Sequence, residues 1–325
     1  MTTFDKPAKT LDDHLVLLKA RGLRIPDEAR ARHYLPNISY YRFSAYTRPF
    51  YIPNEGDHRF LPGTTFDDIL TLYIFDRELR LLLLDAIERI EVSLRAQMTN
   101  LLAERYGPHG YLDAAVFNDG FDHGRLLQTL DRECGGKEVE TFVNHYRHKY
   151  TDAPGYPPIW MSMELLTFST VSILFAQLRQ KSDRKHIEAV YGWPFPVLRS
   201  WFRALSDLRN KCAHHMRIWN REFGVSPLLP RERHHPVDWP EIDHAIPVHS
   251  TRHPGQTIDA QKRLYMHLVV IGYLMRVVCP ESQWKARLRE LMDRYPAVSR
   301  THMGFPADWQ AGRGILAART VKGNR

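Results

Sequence analysis

The sequence predicts an all-α protein, and three observations predict it. Apolar residues recur at three- and four-residue steps through most of the 325 residues, and alternating, strand-like runs are scarce. Two Thr-x-x-Asp patterns, Thr10 with Asp13 and Thr65 with Asp68, read as capping boxes at helix starts. Gly107-Pro108 and Pro154-Gly155-Tyr156-Pro157-Pro158 read as stops between helical runs.

Taken in order, Thr10 opens a helix over about 11–20, and a second short helix covers about 27–34. An aromatic segment follows, Tyr40-Tyr41-Arg42-Phe43-Ser44-Ala45-Tyr46, and Pro53, Gly56, Pro62 and Gly63 then mark a loop. From Thr65 the strongest helical signal in the chain, carried by Leu79, Leu83, Ile87, Ile90, Leu94 and Met98, runs to about Tyr106. At ~1.5 Å per residue such a helix spans on the order of 60 Å, a length that invites a bend or a break. Two or three helices are expected between His123 and Tyr150, one over about 160–179, and one over about 197–216 behind Pro194 and Pro196. An irregular, proline-rich connection over 227–254 leads to helices at about 259–278 and 282–294. This divides the chain into an N-terminal helical extension (1–62), a helical domain (63–295) and a basic C-terminal tail (296–325). The long helix and the three later ones are expected to bundle, which buries four apolar stripes together.

Composition narrows the function. With 43% apolar and 25% charged residues the chain is ordinary globular protein, and its formal net charge of +8 favours a polyanionic partner. Cys134, Cys212 and Cys279 lie far apart without a CxxC pair, which argues against a disulfide framework or a cysteine-bound zinc and fits a reducing compartment. The start lacks the apolar stretch of a signal peptide. The longest apolar run, Leu268 to Met275, is far shorter than the ~20 residues of a membrane helix, so a cytoplasmic protein without a membrane partner is expected. The histidine pairs 145/148, 214/215 and 234/235 lack the carboxylate companions of a metal site, and no glycine-rich phosphate loop is present. Neither a metal nor a cofactor is expected.

The helix at about 197–216 carries the candidate chemistry. Leu198, Trp201, Leu205, Leu208, Cys212 and Met216 form its apolar stripe, and Arg203, Asp207, Asn210, His214, Arg217 and Arg221 the opposite one. Arginine offers a fixed charge and a fork of donors matched to phosphate oxygens. Histidine exchanges a proton near neutral pH. Together these groups suffice to cleave RNA without a metal: a base takes the proton of the ribose 2′-OH, and arginine steadies charge on the phosphate.

The same residues carry a resemblance. Arg209-Asn210-Lys211-Cys212-Ala213-His214 is similar to the R-N-x-x-x-H form of the R-x4-6-H motif of HEPN-superfamily ribonucleases. The wider run from Trp201 to Arg221 resembles the Abi-like abortive-infection family of the AbiD/AbiF type. So do the segment Asn37–Tyr46, the runs Phe75–Arg80 and Glu88–Arg95, and Pro158-Ile159-Trp160 with Glu164. The resemblance covers roughly residues 11–230. It implies a HEPN-like helical bundle, phage defence, and a toxin that acts as an endoribonuclease on RNA, with Arg209 and His214 catalytic. It also implies a homodimer, since the superfamily assembles composite sites from two protomers, and a small non-coding RNA or an antitoxin as a further partner.

Each residue also has a plainer reading. Arg209 and His214 stand about 140° apart on a straight helix, so they do not share a face, whereas Asn210 and His214 do. His215 is the alternative histidine. Arg209 either serves the site or pairs with Glu88 or Glu91 inside the bundle. Glu88, Glu91 and Arg95 either form a surface ladder of charge or face the motif helix and position its residues. Arg203, Arg217, Arg221 and Arg42 are candidates for RNA contact, against a solvated or ion-paired face. The Tyr40–Tyr46 cluster either stacks on unpaired bases or packs on the bundle. Two rival functions remain open at this point: a non-catalytic RNA-binding module, and a helical sensor or scaffold in phage defence.

Overall fold

The computed structural model describes residues 7–136, 138–152, 154–231, 239–240, 245–247, 255–307 and 309. The end of the basic tail, from 310 onward, lies outside the described residues, as do 232–238, 241–244 and 248–254 within the irregular connection. The architecture is all-α. Both capping boxes form: the Thr10 and Thr65 hydroxyls each accept from the backbone N–H three residues on at 3.2 Å, and Asp13 and Asp68 accept back at 2.8 Å. They open α1 (Leu11–Ala20) and α4 (Phe66–Tyr106). Between them lie α2 (Glu28–Ile38) and α3 (Tyr40–Ser44). The aromatic segment packs rather than stands free, with Phe43 and Tyr46 fully buried and the Tyr40 ring stacked on His14 at 4.0 Å. Tyr41 alone projects.

The 41-residue α4 runs without a break until Gly107, which takes φ 77°. It is the axis of the fold. The helices α7 (Ile159–Leu165), α8 (Phe168–Ala176), α9 (Lys181–Tyr191), α10 (Phe195–Ala213), α11 (Leu264–Val278) and α12 (Trp284–Arg294) all pack against it. Contacts on several sides explain why α4 does not break: neighbours hold it along most of its length. Next to it α11 is buried from Leu264 through Met275, a helix apolar all round because it has protein on every side. The helices α5 (His123–Gly135) and α6 (Thr141–Lys149) fill the expected stretch before Tyr150.

Two expectations change. The single helix over 160–179 is two helices, because Thr167 adopts extended geometry (φ −71°, ψ 158°) and caps α8 by accepting from Thr170 N–H at 3.3 Å. The carbonyls freed at the end of α7, on Met163 and Leu166, accept from Arg95 of α4. A cation at a helix C-terminus also meets the negative end of its dipole. Helix α9 was not expected at all. Its buried stripe, Asp183, Ile187 and Tyr191, begins with a carboxylate and so hides from a search for apolar periodicity. β1 (Ala245–Pro247), in the proline-rich connection, pairs antiparallel with β2 (Thr257–Asp259) just beyond it, and the helix expected from about 259 begins at Leu264. Among the described residues no helix is long and apolar enough to cross a membrane.

Candidate functional site

Helix α10 buries Leu198, Trp201, Phe202, Leu205, Leu208 and Cys212 against α4 and α8. It stops at Ala213, three residues before the expected end. The stop is a Schellman turn: His215 N–H donates to Cys212 O at 3.0 Å and Met216 N–H to Lys211 O at 2.9 Å. Glycine usually takes the left-handed residue of this turn; here His215 does, at φ 57°. The ending corrects the place of Met216, which leaves the apolar stripe and is 44% exposed. It also puts His214 and His215 together on an exposed turn at the helix end.

A buried network pins the chain beyond that turn. Asp76, on α4, is fully buried and accepts from Ile218 N–H at 3.1 Å, Trp219 N–H at 2.6 Å and the Tyr46 hydroxyl at 2.7 Å. It is also ion-paired with Arg80 one turn along. The same guanidinium donates to Met216 O at 3.3 Å, and Arg42 of α3 donates to His215 O. Burial pushes the Asp76 carboxyl above its usual range and Arg80 pulls against it. Asp76 and Arg80 were missed as site residues in the sequence. The available signal was a charged pair, Asp76 and Arg80, in phase with Leu72, Leu79 and Leu83 on a buried stripe.

Arg209 points back toward α4, where its Nε lies 3.7 Å from Glu91 Oε2. Glu91 also accepts from Arg95 at 2.9 Å, and Arg95 in turn caps α7. Of the two glutamates, Glu91 is thus the partner, and Glu88 is exposed and makes no ion pair among the described residues. The Glu91–Arg95 pair faces the motif helix and joins α4, α7 and α10. Arg209 keeps 42% of its side chain exposed. Among the described residues no hydrogen bond links Arg209 to His214.

The remaining candidates divide into two groups. Asn210 and Arg203 line an open cleft of about 1090 Å³ between α8, α10 and residues 224–228, together with Gln177, Arg199, Ser206 and Asp207. Asp207 is engaged there by Lys211 one turn along. Arg217 and Arg221 lie past the turn, and Arg221 Nε–H donates to Arg217 O at 2.7 Å. Burial lowers the proton affinity of Arg217. Cys212 sits in the core, its thiol pushed up to about 12 by burial. Among the described residues no three His, Cys, Asp or Glu side chains gather closely enough to hold a metal ion.

The sequence model of one family, described as Abi-like protein, matches residues 33–220, a span that runs from α2 through the turn after α10. Comparison with curated proteins and with solved structures returns no match.

Proposed function

Because the chain belongs to the Abi-like protein family, which implies abortive infection and so phage defence, we propose that it is a metal-independent endoribonuclease toxin of the HEPN type. In this reading His214 is the general base. Its neutral imidazole takes the proton of a ribose 2′-OH, and the 2′-oxygen attacks the adjacent phosphorus. The bond from phosphorus to the 5′-oxygen breaks, and that oxygen leaves with a proton from the His214 imidazolium of a second protomer. The products are a 2′,3′-cyclic phosphate and a 5′-hydroxyl.

One observation carries the reading: the C-terminal end of α10 presents His214 on an exposed, pinned turn with arginines on both sides. The separation of Arg209 from His214 within one chain fits a homodimer, in which Arg209 of one protomer steadies the phosphate attacked at His214 of the other. Glu91 and Arg95 then act as positioning residues for Arg209, and Asn210 orients the strand beside His214. The protein works in the cytoplasm, where its RNA substrate is, and an antitoxin or a small non-coding RNA holds it silent.

The test is cleavage of total bacterial RNA in EDTA by wild type, Arg209→Ala and His214→Ala. Wild type alone should yield fragments ending in 2′,3′-cyclic phosphate, with His214→Ala slower by about 10²–10⁴-fold, the usual contribution of a general base. A second reading, a non-catalytic RNA-binding module, is favoured by the counterion that Arg209 already has in Glu91. Undiminished toxicity of His214→Ala, with RNA bound and uncut, would establish it.

A further inference from the structure

The face of α10 that leads to the histidine turn is the floor of the open cleft of about 1090 Å³. Arg199, Arg203, Ser206 and Asn210 line it at steps of four, three and four residues, so they form one stripe of the helix. At ~1.5 Å per residue that stripe is about 16 Å long. It ends beside the candidate base: His214 N–H, one turn on, donates to Asn210 O at 2.9 Å. Both arginines are exposed, and among the described residues neither makes an ion pair. The carboxylate that lines the cleft, Asp207, is already paired with Lys211. Hydrogen bonds fix the two walls. Leu228 N–H donates to Ser200 Oγ at 2.8 Å and Trp201 Nε1–H to Leu228 O at 2.9 Å, which ties residues 224–228 to α10. On the α8 side, Asn118 N–H donates to Gln177 O at 2.8 Å. Each wall carries a large apolar side chain left in solvent: Ile173 is 46% exposed and Leu228 47%.

We infer that this cleft is the track for a single-stranded segment of the RNA leading to His214, with Arg199 and Arg203 on neighbouring phosphates and the bases against Ile173 and Leu228. This rests on the RNA reading above and adds Arg199, Ile173 and Leu228 to it. The chemistry of the lining selects the ligand. Exposed guanidiniums without carboxylate partners suit phosphate oxygens. Their spacing of one helical turn, about 6 Å, suits charges that repeat along a strand. Apolar walls beside a basic floor accept the faces of unpaired bases. The Ser206 hydroxyl and the Gln177 amide line the same space and offer bonds to base edges or 2′-hydroxyls. A small molecule is a poorer match. Pockets for such ligands enclose about 300–1,000 Å³ and bury most of the ligand, whereas this cleft lies open along a helix face and runs on toward the turn.

The test is binding of a fluorescent single-stranded RNA oligomer of mixed sequence to the full chain, in EDTA. Every protein carries His214→Ala so that the strand stays intact, and affinity is measured over a salt series. Arg199→Gln and Arg203→Gln should each make the plot of log K against log salt shallower by about 0.7, the loss of one phosphate contact on a single strand. The exposed Arg125→Gln, on α5, serves as the charge control and should leave the slope as it was. Ile173→Glu and Leu228→Glu, which set a negative charge on each wall, should lose affinity. Val16→Glu, at an exposed apolar residue of α1, should not. Unchanged slopes for both arginine variants, or an equal change in Arg125→Gln, overturn the track. So does an affinity in the two wall variants no lower than in Val16→Glu. Should a wall variant fail to fold, the two exposed arginines decide. Slopes that change as expected, in a protein whose wild type cuts no RNA, would leave the track standing and remove the nuclease. Unchanged slopes with a wild type that cuts RNA would remove the track and leave the nuclease.

Discussion

Replacing Asp76 by alanine should destabilise this protein more than any change at the proposed catalytic residues. The carboxylate is fully buried and satisfies four donors: Arg80, the Tyr46 hydroxyl, and the backbone N–H groups of Ile218 and Trp219. Removing it leaves the Arg80 side chain, only 5% exposed, as an uncompensated cation, which costs about 3–5 kcal/mol. Each backbone N–H stripped of its acceptor adds about 1–3 kcal/mol where water cannot reach it. The contributions overlap, because relaxation and water relieve them together, so a loss of about 5 kcal/mol is expected. That equals the whole stability of a marginal domain, for which about 5–15 kcal/mol is normal. Urea denaturation of wild type, Asp76→Ala and the double variant Asp76→Leu/Arg80→Met measures it. The double variant removes the stranded cation as well as the carboxylate and should regain about 3 kcal/mol, leaving the orphaned N–H groups as the residual cost. A loss below about 1 kcal/mol in Asp76→Ala, or a double variant no better than the single, would refute this account of the network.

Two other changes probe the surroundings of the site. His267 is fully buried on α11, where its Nδ1–H donates to Arg263 O at 3.4 Å, and burial holds its pKa down to about 4. The unfolded chain binds that proton near pH 6.5, so the neutral imidazole contributes its full stability above that pH and loses it as pH falls toward 4. Between pH 7 and pH 5 wild type should lose roughly 2 kcal/mol through this group, while His267→Leu should lose that much less; equal losses in the two proteins would exclude it. At the turn, His215→Gly should stabilise by roughly 0.5 kcal/mol, the left-handed penalty less the entropy of glycine. Thermal melts read that gain, and RNA cleavage should persist in the variant. Destabilisation there would mean that the His215 side chain holds the turn.

Much of this organisation can be read from residue order because it depends on local geometry. A Thr hydroxyl with an Asp three residues on satisfies two free helix donors whatever the surroundings, so the starts of α1 and α4 are legible. Three- and four-residue apolar steps reveal α4, α10 and α11 for the same reason. The failures are equally physical. Helix α9 escapes because its inward stripe starts with Asp183, acceptable there only because Arg105 and Tyr106 of α4 reach it. The break at Thr167 escapes because it is tolerable only with Arg95 waiting to take the freed carbonyls. The end of α10 at Ala213 escapes because no glycine marks it: a histidine takes the left-handed place and the turn is held from outside.

By itself, then, the sequence determined the all-α class, the axis helix, the family and the identity of the Arg209–His214 segment, since these reside in local periodicity and residue type. Only the tertiary structure decided what surrounds that segment: that Glu91 rather than Glu88 meets Arg209, and that Asp76 and Arg80 pin the turn, from 142 residues away in the case of Asp76 and Ile218. The reason is that an ion pair or a buried hydrogen bond depends on distance in space. The packing of α4 and α10 sets that distance, and no pattern within a single helix encodes it.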